Sequence, residues 1–386
     1  MEKIFYIALY LMGVDSKDLI EIINKVPKKE LKIIFTEDNI KLQYEYNIDL
    51  SKHAKKLIDS KLTENYINEA TEIVNKSREL GIKIIPISSK YYPNTLKQLD
   101  DAPAIIYIKG NYITKRDEKS IACVGSRSYS TFGANAVNSL VSVLTNENFA
   151  IISGLAEGID TEAHKVCLRN RGRTIAVLAH GLDQIYPKVN KELAEEILNS
   201  GGTLVSEYPV GTKIEKYRFV KRNRIIAGLS KCVILFESKI KSGSMHTVKY
   251  ALNYNKKIFC PYPTKYTESV SGLCNLLDDK KAIPLKCRND YKIVIHELGY
   301  KLNPNLEQTQ HIKNESFNKF ININSKGNNL FKDIKELECN KYLGIKTNKE
   351  TYEIFKKILK ENNLSIREFF NAIILAIVNS YNGGRE

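Results

Sequence analysis

Acidic residues are in short supply: 44 aspartates and glutamates stand against 59 lysines and arginines, leaving a formal charge of +15 at pH 7 over 386 residues. A field of that sign draws phosphate backbones and anionic surfaces and repels cationic partners, so nucleic acid is the first class of partner to consider and a membrane surface the second. No C-x-x-C pair occurs among the seven cysteines, Cys123, Cys167, Cys232, Cys260, Cys274, Cys287 and Cys339. That spacing argues against a zinc site and a disulfide framework, and for reduced thiols in a cytoplasmic protein. Cys123 and Cys232 lie in apolar runs of strand length, where cysteine acts as a small hydrophobe. Nor is there a long hydrophobic run at the start. The apolar stretch in "MEKIFYIALYLMGVDSKDLIEII" covers about nine residues and leads into Asp15 and Asp18 without a small-residue cleavage site, so an amphipathic core helix is expected, not a signal peptide or a membrane span.

What is present is a regular alternation. Up to about Arg78 apolar residues recur at spacings of three and four, as in "SKDLIEIINKV" and "TENYINEATEIVNKSREL", which predicts a helical module over residues 1–80. Two short β-branched runs in "GIKIIPISSKYYPNTLKQLDDAPAIIYIKGN" are expected to add strands at a sheet edge. Then "SIACVGS", "FAIISG", "TIAVLAHG", "TLVSEYP", "CVILFES" and "KIFCPYP" read as strands apolar on both faces, separated by segments of helical length. This predicts an α/β core over 81–290, with a doubly wound, mainly parallel sheet of extended Rossmann-like type. Residues 300–340, rich in Asn and Lys, read as a flexible linker. A strand-helix-helix unit follows over 341–386, with capping boxes at Thr347/Glu350 and Ser365/Glu368. It is too small to bury its own apolar face, so it dimerises or docks.

In a doubly wound sheet, ligands bind beyond the carboxyl ends of the strands. The first of these strands ends in "VGSRSYSTFG", where Gly125, Ser126, Arg127 and Ser128 form a glycine- and hydroxyl-rich turn into a helix, a candidate phosphate cradle without dinucleotide-fingerprint spacing. The second ends in "SGLAEGIDTEAH". Gly154 permits a tight turn there, and Asp160 and His164 stand one helical turn apart, either as an acid/base pair or, in the favoured reading, as local packing. His180 and Asp183 follow the third strand, Ser206 and Glu207 the fourth. A second glycine-serine turn, Ser242-Gly243-Ser244, follows the fifth. Between the last two lies "KYRFVKRNRIIAGLS", which crowds Lys216, Arg218, Lys221, Arg222 and Arg224 at one place. Such a run is ordinarily a solvated face, but beside two glycine turns it reads as an anion site. Arg222 and Arg224 are expected to project toward phosphate, Asn223 to bond a neighbouring backbone, and Phe219 to offer a stacking face.

These six blocks, in this order and spacing from about Lys83 to Leu285, resemble the DNA-processing protein A family (DprA/Smf). The resemblance implies a non-catalytic, homodimeric protein that binds single-stranded DNA without base specificity and loads the RecA recombinase during natural transformation and recombination. It implies DNA contacts at Gly125, Ser126 and Arg127, at Phe219, Arg222 and Arg224, and at Ser242, Gly243 and Ser244; Ser128, Gly154, Lys221 and Asn223 join them as candidate contacts. No cofactor or metal is implied. The chain departs from the family pattern at Ala179, where glycine is usual, at Val220, where proline is usual, and in "CPYPTKY", which lacks a Pro-Gly. The tail resembles a ribbon-helix-helix unit and reads equally as a helical hairpin packed on the body. The competing function is a nucleotide-binding or nucleotide-cleaving enzyme of phosphoribohydrolase type. Glu237 would supply its acid, but the "PGGxGT" turn is replaced by "ESKIKSGSMHT".

Overall fold

A computed structural model describes residues 2–303. Nine strands form one sheet: β1 (Ile82–Pro86), β2 (Ile105–Gly110), β3 (Ser120–Val124), β4 (Ala150–Ser153), β5 (Thr174–Leu178), β6 (Thr203–Ser206), β7 (Cys232–Leu235), β8 (Lys257–Pro261) and β9 (Ile283–Leu285). Their order across the sheet is β1-β2-β6-β5-β4-β3-β7-β8-β9. From β6 through β9 every pairing is parallel, whereas β2 pairs antiparallel with both β1 and β6. The two β-branched runs expected at a sheet edge are β1 and β2. The doubly wound α/β reading holds, extended by the short edge strand β9.

Apolarity on both strand faces has a direct structural counterpart. In β3, Ile121 and Cys123 enter one buried cluster with the helices Thr131–Asn146 and Ile159–Arg169, while Ala122 and Val124 enter another with the helices Lys216–Leu229 and Ser244–Asn253. Helices cover both sides because a two-faced apolar strand leaves no face for water. The second cluster continues into the helices of residues 2–79 through Tyr6, Ile7, Leu9 and Ile73. Aspartates cap two of those helices: the Asp15 carboxylate accepts from the Lys17 and Asp18 amides (2.9 and 3.0 Å), and that of Asp59 from Leu62 (3.0 Å). Cys123, Cys232 and Cys260 are core residues of β3, β7 and β8, and burial pushes the Cys123 thiol well above its usual range. Cys287, by contrast, is exposed. Among the described residues, no helix is long and apolar enough to cross a membrane. The linker and the strand-helix-helix unit lie, beyond residue 303, outside the described residues.

Winding direction fixes where a site can form. From β3 the chain steps through β4 and β5 to β6 on one side, then crosses back to β7 on the other. The topological switch point, where doubly wound sheets bind their ligands, therefore lies between β3 and β7 at the carboxyl end of the sheet.

His164 reports on the interior beneath that point. The Thr174 hydroxyl donates to the Ile151 carbonyl (2.9 Å), so it accepts from His164 Nδ1–H (2.7 Å) and leaves Nε2 unprotonated. Burial foremost, then the charge of Arg222, holds the His164 pKa down to about 3. A folded pKa below the unfolded one means this contribution is complete above about pH 6.5 and is lost as pH falls, at up to about 1.4 kcal/mol per pH unit. In His164→Gln, the decline of Tm between about pH 6.5 and 4.5 should flatten, with His180, also depressed by burial, keeping part of it. An unaltered slope would place the acid sensitivity elsewhere.

Candidate nucleic-acid interface

The loops after β3 and β7 are stitched together by backbone. Phe236 N donates to Val124 O (3.0 Å) and Ser126 N to Glu237 O (2.7 Å). The fully buried Glu237 carboxylate accepts from both the amide and the hydroxyl of Ser130, at 2.9 and 3.0 Å. A carboxylate thus already occupies the positive end of the helix Thr131–Asn146, the position where a bound phosphate was expected. Gly133 is required here because a Cβ would collide with Glu237 Oε2. Ser126 is likewise engaged, its hydroxyl bonding the Ser128 carbonyl (2.6 Å) and amide (3.1 Å), while Gly125 packs against Ile159. The expectation of an open amide cradle after β3 is therefore corrected at Ser126 and Ser130. What this turn presents to solvent is Arg127, exposed and without a hydrogen bond or ion pair among the described residues, and beside it Ser128.

The helix Lys216–Leu229 begins at the same end of the sheet and is buried without a break from Arg222 onward. Arg222 and Arg224 do not project; their side chains are 5% and 4% exposed and turn inward. Arg222 Nη1 donates to the carbonyls of Gly154 (2.7 Å) and Val177, at the ends of β4 and β5. The Asp160 carboxyl nearby favours its charged form electrostatically and accepts from the Gly154 amide (3.1 Å), while burial raises the pKa of Asp160 itself. Burial lowers the Arg222 pKa to about 10, and the positive charge of Arg127 acts in the same direction; Arg222 stays ionised at neutral pH. Arg224 bonds the Glu207 carboxylate after β6, which Lys221 approaches to 3.6 Å. Asn223 bonds a neighbouring backbone as expected, its amide donating to Gly243 O at 3.2 Å. Arginine can be buried only where carbonyls and carboxylates wait for it, and those acceptors come from distant parts of the chain.

Several other candidates are structural in position. Gly154 makes room for Arg222, since a Cβ would lie 2.6–2.7 Å from three guanidinium atoms. Asp160 and His164 serve different partners and form no acid/base pair. His180 is buried against Gly181 O (2.9 Å), and Asp183 accepts from the Gly211 amide (3.1 Å). In the turn after β7 the hydroxyls of Ser242 and Ser244 bond each other (2.7 Å) and Ser238 bonds Ser244 (2.9 Å), with Gly243 exposed between them. Among the described residues, no group of three or more His, Cys, Asp or Glu side chains could hold a metal ion.

The outer rim is cationic and aromatic. Arg127, Lys216, Lys221 and Lys241 are exposed, and Phe219 is half-buried, with the ring of Tyr186 edge-on at 5.6 Å and Arg222 6.0 Å from its centroid. Sequence reasoning missed Tyr186, as well as the roles of Glu237 and Asp160 as internal anions. Only Tyr186 left a usable trace, an aromatic beside proline in the loop "DQIYPK".

Gly154→Ala should force the Arg222 guanidinium off its two carbonyls and cost about 1–3 kcal/mol, the usual penalty for overpacking. An unchanged urea midpoint would show that the arginine is not held as described.

The family model described as DNA recombination-mediator protein A matches residues 83–296. The chain is 39% identical over 196 residues to the DNA processing protein DprA of Bacillus subtilis, covering 51% of this chain and 66% of that protein. Identity to Protein Smf of Synechocystis is 40% over 189 residues, covering 48% of this chain and 47% of that one. With DprA of Streptococcus pneumoniae it is 42% over 186 residues, covering 48% and 64%. The matched part is thus less than two thirds of the length of each of these curated relatives. Among solved structures, the X-ray structure of DprA from Streptococcus pneumoniae superposes with a TM-score of 0.58 at 29% identity, covering 77% of this chain and 97% of that one. DNA processing protein A from Helicobacter pylori, described for its single-stranded DNA binding mode, superposes with a TM-score of 0.50 at 28% identity, covering 56% and 96%.

Proposed function

The chain belongs to the DNA recombination-mediator protein A family, and from that membership we propose that it binds single-stranded DNA, independently of sequence, across the crevice at the carboxyl end of the sheet. The observation that carries this reading is the pairing of unspent cations with an exposed aromatic edge at one place: Arg127 and Lys216 beside Phe219 and Tyr186. Cations neutralise phosphates, rings stack on any base, and neither reads base identity. The single-stranded DNA binding described for the Helicobacter pylori relative supports the same reading.

Within the expected residue set, we assign direct contact to Arg127, Ser128, Phe219, Lys221, Ser242, Gly243 and Ser244. Gly125, Ser126, Gly154, Arg222, Asn223 and Arg224 act behind them, holding the loops in register. We read the protein as a binder and not as an enzyme: Glu237, the acid a nucleotide-cleaving site would need, is fully buried, with its Oε2 accepting from Ser130. Loading of RecA onto the bound strand, action as a homodimer in the cytoplasm, and a place in DNA uptake and recombination complete the proposal, and these rest on the family resemblance.

Affinity for a thymidine oligonucleotide should fall with salt at a log-log slope of about 0.7 per neutralised phosphate. Arg127→Ala should weaken binding by about 1–2 kcal/mol, equally for different sequences. A slope near zero, or full affinity in Arg127→Ala, would overturn the proposal.

A further inference from the structure

A cavity of about 200 Å³ lies toward the amino ends of the parallel strands, away from the proposed DNA site, between the segments 90–95 and 113–118 and the sheet. Its floor is apolar: Ile152 of β4, Ile175 of β5, Leu229 at the end of the helix Lys216–Leu229, and the buried Tyr92, with half-buried Ile113 at the side. Its mouth is cationic. Lys90 and Lys115 are exposed there and make no ion pair among the described residues. Lys90 has a fixed support: its Nζ is 5.1 Å from the centroid of the Tyr91 ring, Tyr91 stacks on Tyr112 at 4.4 Å and 18°, and Lys83 Nζ is 4.9 Å from the Tyr112 centroid. The nearby acids do not cancel these charges. Asp117 is spent, accepting from the Thr114 amide (2.8 Å) and Arg173 Nε (2.9 Å). Glu118 is half-buried, and after burial its charge is what raises the pKa of Tyr300, which packs on the opposite face of the sheet. Asn94 and Thr95 complete the lining with side chains that make no hydrogen bond among the described residues.

Size decides what can enter. An apolar cavity of about 150 Å³ takes a benzene-sized ring, whereas drug-sized ligands occupy about 300 Å³ or more. One ring therefore fits the floor, and two cations against one unspent carboxylate favour an anionic group at the mouth. We propose that this cavity is a binding site for a small aromatic acid, a single ring bearing a carboxylate, with the ring against Tyr92, Ile152, Ile175 and Leu229 and the carboxylate at Lys90 and Lys115. The site is separate from the DNA-binding one and does not depend on it.

The test is an NMR titration of the full chain with benzoate as the probe and with acetate and benzyl alcohol as comparisons. Benzoate should bind saturably at about millimolar concentration or below. Acetate, which lacks the ring, should bind about tenfold more weakly, and benzyl alcohol, which lacks the charge, about fivefold more weakly. The double variant Lys90→Ala/Lys115→Ala should weaken benzoate about fivefold and leave benzyl alcohol unchanged, while Ile113→Trp, which fills the cavity from its side, should abolish binding of both rings. A saturating thymidine oligonucleotide should leave benzoate in place. Displacement by the oligonucleotide, or undiminished benzoate binding in both variants, would put the benzoate elsewhere on this basic surface and overturn the site. Equal affinity for acetate and benzoate, or no benzoate binding at all, would overturn it as well. Failure of the chain to bind the oligonucleotide would count against the DNA reading alone.

Discussion

A single buried cation organises this end of the molecule. Arg222 reaches inward from the helix Lys216–Leu229 and donates to carbonyls at the ends of β4 and β5, with the Asp160 carboxyl nearby. An ion of this kind, stripped of water, is stable only with its partners in place, and losing one partner typically costs about 3–5 kcal/mol. The neighbouring Asn223 and Arg224 extend the same arrangement to the loops after β7 and β6. Three consecutive side chains thus fix the relative positions of four strand ends. The rim can present Arg127, Phe219 and Lys221 at set spacings because its base is held in this way.

The second internal anion solves a different difficulty. A helix that starts beside a diverging loop leaves its first amides without partners, and the Glu237 carboxylate caps the helix Thr131–Asn146 from across the crevice. The capping joins the two loops that flank the topological switch and neutralises a site that would otherwise attract a phosphate into the interior. Anion attraction is thereby displaced outward, onto side chains that can follow a flexible strand. Gly133 and Gly154 belong to this arrangement as space left for Glu237 and Arg222.

Much of the fold was legible because its signals are local. Runs such as "SIACVGS" and "TIAVLAHG" are apolar at every position, and only a strand covered on both faces needs that. The three-residue strand β9 was passed over, since Ile283–Leu285 contains Pro284 and is too short to show a period. In the candidate site, the loops singled out in the sequence lie at one end of the sheet, but the sequence misjudged which way two arginines face. The cluster Arg222-Asn223-Arg224 reads as surface charge, and its acceptors, Gly154, Val177 and Glu207, are supplied by segments up to 68 residues away. Glu237 stood in view as a possible acid, yet its partner Ser130 is 107 residues distant.

By the proposed reading, one end of the sheet, ordered from beneath by Arg222 and Glu237, receives the DNA strand. Hydrogen–deuterium exchange on the full chain, with and without a saturating thymidine oligonucleotide, tests it most directly. The account predicts slowed exchange in residues 125–130, 181–190, 213–223 and 239–246, and no change at the amino ends of the parallel strands, near Lys119, Arg173 and Lys231. Protection confined to those amino ends, or spread evenly over the surface, would contradict it.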